Sequence, residues 1–290
     1  MLDSSYSRSL LMTAAAAVVW SIGGLGIRIV NVSPWGVVFW RAAFMGLTIL
    51  SFLIIRDRKR AFQTFKKIGT LGLVAGAFLA IASTFYVLSI THTSVANTLV
   101  LQGISPLIAA LFGWLMLHER VRPETWLAII ISIVGLVIMV SGSLATGEFL
   151  GDLFGLVTAI AFAGNIVVVR ATRETDLIPA ACLGGFLSAS IAIPMVNTFT
   201  IAAHDLGILA GLGAVQLGLG LCLFVTGSRN LPPAQTGLLT LLEIVLAPLW
   251  VWLFIGEQPT LSTLTGGVII ITTLVLHTLL RGKVHNNPSR

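Results

Sequence analysis

The chain has 290 residues, of which 56% are hydrophobic and only 10% charged, and its mean hydropathy is +0.99. A soluble domain carries roughly 25% charged residues, so too few are present to solvate a soluble enzyme of this size. A disordered chain and a small disulfide scaffold are excluded as well, which leaves an integral membrane protein.

The net charge of +6 does not point to nucleic acid, because placement matters more than the total. The two cysteines, Cys182 and Cys222, lie in apolar stretches. They give neither a disulfide framework nor a metal spacing, and buried, inert thiols are expected.

Arg8 followed by the apolar run Leu10–Trp20 has the look of a cleaved signal. The run continues to Val30, however, which is the length of a full span. It is read as the first membrane helix.

Apolar windows of about 20 residues cross a hydrocarbon core of roughly 30 Å. Ten such windows follow in order: about 10–30, 34–55, 68–90, 94–117, 124–142, 151–171, 178–198, 206–227, 233–255 and 260–281. Turn residues separate many of them, among them Asn31–Pro34, Arg120–Pro123, Gly147–Asp152, Asp176–Pro179, Asn230–Pro233 and Glu257–Pro259. The windows are continuous and lack the alternation a barrel strand needs, so they are helices. The expected fold class is an all-α integral membrane protein with ten transmembrane helices.

Placing the N-terminus in the cytoplasm puts every Lys and Arg on cytoplasmic segments except Arg28 and Arg41, which lie within or near spans. The outer segments carry Glu148, Asp152, Asp205 and Glu257 instead. This asymmetry predicts that both termini are cytoplasmic.

The halves resemble each other. A shift of 138 residues lays Trp114, Leu115 and Glu119 on Trp252, Leu253 and Glu257, and lays Ala96, Thr98 and Ala109 on Ala234, Thr236 and Ala247. A shift of 142 lays Trp20 on Phe162 and Arg28 on Arg170. The chain therefore divides into a first five-helix repeat, 1–145, and a second, 146–290. An odd number of spans per repeat makes the two insert with opposite orientation, as in alternating-access transporters with a central site.

The stretch Ser94–Val121, SVANTLVLQGISPLIAALFGWLMLHERV, resembles the repeat signature of the EamA-type drug/metabolite transporters. So does Pro233–Glu257, PAQTGLLTLLEIVLAPLWVWLFIGE. Family repeats often read Glu-Pro in mid-helix. Here the fourth span has Ser105-Pro106 and the ninth has Glu243-Ile244 with Pro248 beyond. The resemblance implies two inverted five-helix repeats and the export of amino acids or other small metabolites across a bacterial inner membrane.

Polar groups within a membrane face the bundle interior or a wet cavity. On the fourth span Ser94, Thr98, Gln102 and Ser105 form one stripe. Thr236, Thr240 and Glu243 hold the equivalent stripe on the ninth. A shared cavity is expected, with helix–helix hydrogen bonding as the competing role. Glu243 is the acidic residue near a span centre, where it could carry a coupling proton, hold a substrate ammonium, or serve as a neutral structural group. Trp20 and Ser21 on the first span, Ser83 and Tyr86 on the third, Thr158 and Asn165 on the sixth and Gln216 on the eighth extend the polar faces. Trp20 and Tyr86 offer apolar bodies with polar tips, suited to a small amphiphile.

The expected substrate-binding set is Trp20, Ser21, Tyr86, Thr98, Gln102, Asn165, Gln216, Thr240 and Glu243. Arg41, about two turns inside the second span, is expected to snorkel to the outer surface; binding a substrate carboxylate is its alternative. Gly72 with Gly76, and Gly207 with Gly211, read as close-packing faces. Pro106, Pro194 and Pro248 are expected to kink their spans.

Nucleophile-elbow, zincin and Walker signatures are absent from the sequence. His92, His118, His204, His277 and His285 sit at span ends or in loops, so neither a metal centre nor a cofactor is expected. The leading expectation is a secondary transporter and not an enzyme, with a small-molecule substrate and membrane lipid as partners and no nucleic acid. A monomer is one expectation, with the oligomeric state left open. An intramembrane lipid-modifying enzyme and a non-transporting scaffold or channel are the competing classes.

Overall fold

The computed structural model describes residues 4–58, 61–93, 95–140, 149–256 and 261–285. Among these every regular element is helical. The expected repeat boundary at 145/146 lies outside the described residues, as do Ser94, Glu148, Glu257, Pro259 and the basic residues Lys59, Arg60 and Arg290.

The first window is two helices, α1 (Ser4–Trp20) and α2 (Gly23–Ile29). They part at Ser21–Ile22, ahead of Gly23, Gly24 and Gly26, which hold a helix poorly at about 1 kcal/mol each relative to Ala. The second window is α3 (Pro34–Asp57), started by Ser33, whose hydroxyl accepts from the Gly36 amide, and by Pro34 in the first turn. The basic loop that follows forms a short helix, α4 (Ala61–Lys67), which the hydropathy pattern did not show. Next comes α5 (Gly69–His92).

The fourth window is broken into α6 (Val95–Gln102) and α7 (Ser105–Leu117). Pro106 causes the break: it donates no amide hydrogen and its ring crowds the carbonyl four residues back, on Gln102. Then follow α8 (Pro123–Val140), α9 (Phe149–Ala171) and α10 (Ile178–Ala192). Pro194 does not kink α10 in mid-span; it lies in a 3₁₀ turn, Ile193–Met195, that ends it. The eighth window is one continuous rod in which α11 (Ala203–Gly211) passes through a π-helical stretch, Leu212–Leu219, into α12 (Gly220–Ser228). The last two are α13 (Pro233–Ile255), whose backbone stays helical through residue 248, and α14 (Leu261–His285).

Among the described residues seven helical runs are long and apolar enough to cross a membrane: Ser5–Ile29, Pro34–Asp57, Gly69–His92, Phe149–Ala171, Ile178–Met195, Ala203–Ser228 and Pro233–Phe254. Three shorter apolar helices accompany them, Ser105–Leu117, Pro123–Ile138 and Leu261–His277. The outer surface is apolar too, with Ile55, Leu73, Val134, Leu253 and Val268 exposed. Water would penalise so large a patch, whereas lipid tails do not.

Lipid gives helices no hydrophobic reason to associate, so close backbone packing and hydrogen bonds hold them together. Packed helix pairs include α1 with α12, α3 with α10, α5 with α9, α7 with α13 and α8 with α14. In addition α5 meets α10, the π stretch meets α3, α9 meets α6 and α7, and α13 meets α1 and α2. Glycines make the crossings possible. A Cβ on Gly76 would fall 2.8 Å from the Ala180 carbonyl oxygen, and one on Gly184 would fall 2.8 Å from the Gly76 oxygen. One on Gly237 would lie 2.7 Å from Pro106 Cα. Gly207 and Gly211 correct the expected pattern: open space surrounds both, and Gly213, two residues on, makes the approach to α3 instead.

Hydrogen bonds add registration. Thr84 pairs with Ser188 at 2.8 Å between α5 and α10, and Thr125 with His277 at 3.0 Å between α8 and α14. The thiols behave as expected: Cys182 is buried, Cys222 half-buried, and both are free.

Arg56, Arg170 and Arg229 lie at the end of the bundle that holds the N-terminus. Asn230 Nδ2 donates to Ser9 Oγ at 3.3 Å there. Its neighbour Arg229 gives a carbonyl to Arg170, which also pairs with Glu119 at 2.8 Å. Arg56 bridges to Asp176 at 2.6 Å beyond the end of α9.

Candidate functional site

A cavity of about 70 Å³ lies inside the bundle, walled by α1, α3, α5, α6, α9, the π stretch with α12, and α13. Its apolar wall includes Met45, Leu79, Leu217 and Leu221, and its polar groups include Arg41, Ser83, Gln102, Thr158, Gln216 and Glu243. Trp20, Tyr86 and Phe162 complete it. The volume suits a few waters, so a larger solute enters only if the helices move apart.

Local sequence explains how these side chains come inward. Gln102 is the last residue of α6, where the Pro106 break ends the helix. Gln216 is carried by the π-helical stretch, a local widening that recurs at functional sites. Glu243 lies midway along α13 and lines the cavity.

Arg41 corrects its expected snorkelling. It is 3% exposed, and its guanidinium lies 5.6 Å from the centre of the Tyr86 ring, inside cation–π range. Nη2 donates to Gln216 Oε1 at 2.9 Å. Gln216 Nε2 donates in turn to the Trp20 carbonyl at 3.0 Å, the last residue of α1 at the helix break. The chain thus leads from a broken first span through one amide to a buried cation. The snorkelling expectation failed because hydropathy says how deep a residue lies but not which way it faces.

Among the described residues Arg41 makes no ion pair, and its Nε and Nη1 have no hydrogen-bond partner. Trp20 Nε1 and Gln102 Oε1 are likewise buried without one. Such groups cost free energy unless something completes them. Glu243, 6% exposed, places a carboxyl in the same cavity, and its Oε2 accepts from Gln102 Nε2 at 3.5 Å. One pocket therefore holds a cation and a carboxyl that do not touch, with amide and aromatic groups between.

Of the nine expected site residues, Trp20, Tyr86, Gln102, Gln216 and Glu243 line the cavity. The others face helix contacts. Ser21 Oγ accepts from Trp250 Nε1 at 2.6 Å. Thr98 pairs with Ser89 at 2.8 Å, and Asn165 Nδ2 donates to the Ala75 carbonyl at 3.1 Å. Thr240 donates to the Gly237 carbonyl within its own helix at 2.7 Å. These four are the helix–helix and local bonding that polar span residues also provide. The stripe on the fourth and ninth spans splits accordingly, with Gln102 and Glu243 inward and Thr98 and Thr240 elsewhere.

Two of the lining residues, Trp20 and Phe162, belong to an aromatic cluster with Phe224. Trp20 meets Phe162 edge-on at 5.7 Å and Phe224 at 5.0 Å, and Phe162 lies 5.4 Å from Phe224. Phe224 is fully buried.

Known proteins resemble this chain throughout. The EamA-like transporter family matches residues 7–141 and again 149–279. The pseudopaline exporter CntI of Pseudomonas aeruginosa is 26% identical over 245 residues, covering 82% of this chain and 84% of that protein. An uncharacterized transporter of Archaeoglobus fulgidus is 29% identical over 264 residues, 90% of this chain and 93% of its own. The S-adenosylmethionine uptake transporter of Rickettsia prowazekii is 23% identical over 240 residues, 81% of this chain and 79% of its own. A protein of known crystal structure superposes with a TM-score of 0.82 over 95% of this chain and 98% of its own, at 17% identity, a likeness of fold. Two family matches that together span nearly the whole of an all-helical, apolar chain lead to one conclusion: this protein belongs to the EamA-like transporter family.

Proposed function

We propose that the protein is a secondary carrier that moves small metabolites, amino acids foremost, out across a bacterial inner membrane by alternating access, and that it performs no catalysis. In this reading ten helices cross the bilayer as two inverted five-helix repeats, 1–145 and 146–290, with both termini cytoplasmic. Trp20, Tyr86, Gln102, Gln216 and Glu243 contact the solute.

The observation that carries the reading is the cavity itself, where buried polar groups without partners face a mid-bundle space. Polar groups gathered at mid-bundle depth around one space are what a solute path through the membrane needs. Two further features support it. The family match comes twice, once per proposed repeat. Numbering the spans in chain order, the packing α1·α12, α5·α9, α3·α10, α7·α13 and α8·α14 is unchanged when each span is exchanged for the one five places on. Such exchange symmetry is what inverted repeats around a central site produce. The arginines at the N-terminal face support the orientation. The aromatic cluster at the cavity favours a carrier over an open channel.

The relatives carry small molecules: one is a pseudopaline exporter, another an S-adenosylmethionine uptake transporter. Counterflow in proteoliposomes with amino acids, polyamines, nucleosides and cationic drugs tests the reading. Saturable exchange of an amino acid is the expected result, and failure of every class removes it.

A further inference from the structure

We infer that Arg41 is the specificity-determining group of the cavity, taking the carboxylate of a solute whose other polar end faces Glu243. The inference rests on the transport reading and names the chemistry its substrate must carry.

Two observations bear on it. Arg41 is 3% exposed, lines the cavity, and offers Nε and Nη1 without partners among the described residues. A guanidinium cannot shed its proton, so burial leaves a permanent cation that seeks an anion. The protein fixes its place from two sides. Gln216 holds Nη2 at 2.9 Å, and the Tyr86 ring faces the guanidinium carbon at 5.6 Å. Both partners are neutral. They hold the group without neutralising it, and they leave the anion to be supplied.

Glu243 is not that anion in this structure, since among the described residues Arg41 forms no ion pair. Its only hydrogen-bond donor there is the long contact from Gln102. A solute with a carboxylate and an amine meets both ends at once, whereas a plain amine meets Arg41 as a like charge. The apolar lining, with Met45, Leu79, Leu217 and Leu221, suits an apolar side chain once the helices part to admit the solute. A site with buried donors rejects an analogue that leaves them unpaired more strongly than it rejects one with a slightly wrong shape.

The experiment is counterflow in proteoliposomes with proteinogenic amino acids, each competed by its own carboxamide and its decarboxylated amine. For each transported amino acid, the acid is expected to compete at least about tenfold better than its amide and amine. Arg41→Gln brings the members of a series to within about twofold of one another, and Arg41→Lys restores part of the preference, because a point charge replaces a fork. Wild-type protein alone decides the first comparison, so a variant that fails to fold does not shield the idea. If amide and amine match the acid in wild type, or Arg41→Gln keeps the preference, Arg41 is not the carboxylate group and transport stands. Movement of polyamines, nucleosides or drugs without any amino acid has the same meaning. If nothing in either panel moves, the transport reading falls and this inference falls with it.

Discussion

Trp20 and Phe162 touch edge to face, their ring centres 5.7 Å apart. They stand 142 residues apart, an offset that makes them counterparts in the proposed repeats. Both line the cavity, and Phe224 joins them there. Contact between such counterparts is what a two-fold axis through the cluster would give.

Trp20→Ala should therefore do two things. Truncating a buried aromatic costs about 3–5 kcal/mol, read as a lower unfolding midpoint in detergent. It also opens the cavity there, so liposomes should leak the transported solute in the absence of exchange. An unchanged midpoint and tight vesicles would show that the cluster neither packs nor seals.

Gly213 and Gly211 make a matched pair. A Cβ on Gly213 would stand 2.5 Å from the Arg41 carbonyl oxygen and 2.5 Å from Phe44 Cβ, whereas Gly211 has nothing within 4 Å. Gly213→Ala must push the π stretch away from α3, at about 1–3 kcal/mol for overpacking, and should loosen the Gln216–Arg41 bond. Gly211→Ala should be neutral or slightly stabilising through helix propensity. Thermal unfolding of the two variants side by side checks this, and equal effects would contradict the crossing described.

Glu243→Gln keeps the shape and removes the group that can ionise. A hydrogen bond to a charged group contributes about 1.5–3 kcal/mol, so exchange of an amine-bearing solute should fall by about tenfold to a hundredfold. Initial rates of counterflow measure it. Wild-type rates and an unchanged dependence on pH would remove Glu243 from the mechanism.

The Glu119–Arg170 bridge, 2.8 Å long and partly exposed, should add little to global stability, below about 1 kcal/mol in a double-mutant cycle. Its larger effect is expected locally. Together with Ala110 it lines a crevice between α7 and α13 at the N-terminal face. In protein lacking Cys182 and Cys222, Glu119→Gln should speed thiol labelling of Ala110→Cys from that face. No change in labelling rate would mean that the bridge does not hold the crevice closed.

The sequence by itself determined the elements, because each apolar window depends on local composition and on the length needed to cross lipid. Pro34 and Pro233 marked boundaries, and Pro106 the bend that became a break, for the same local reason, since a missing amide hydrogen acts within its own turn. The proposed repeat rests on pairs such as Trp20 against Phe162, and the polar stripes did point to Gln102 and Glu243, which line the cavity. Direction within the bundle was not legible. Thr98 and Gln102 are one turn apart, yet the first bonds Ser89 and the second faces the cavity.

Only the tertiary structure turned Arg41 inward, because the groups that hold it, Gln216 and Tyr86, come from distant helices. It also decided that the first span breaks at Ser21–Ile22, where the amide of Gln216, 196 positions away, satisfies the freed carbonyl of Trp20. Hydropathy reports the free energy of a segment's depth in the bilayer. Which buried donor meets which acceptor depends on how separate helices cross, and that information exists only once they pack.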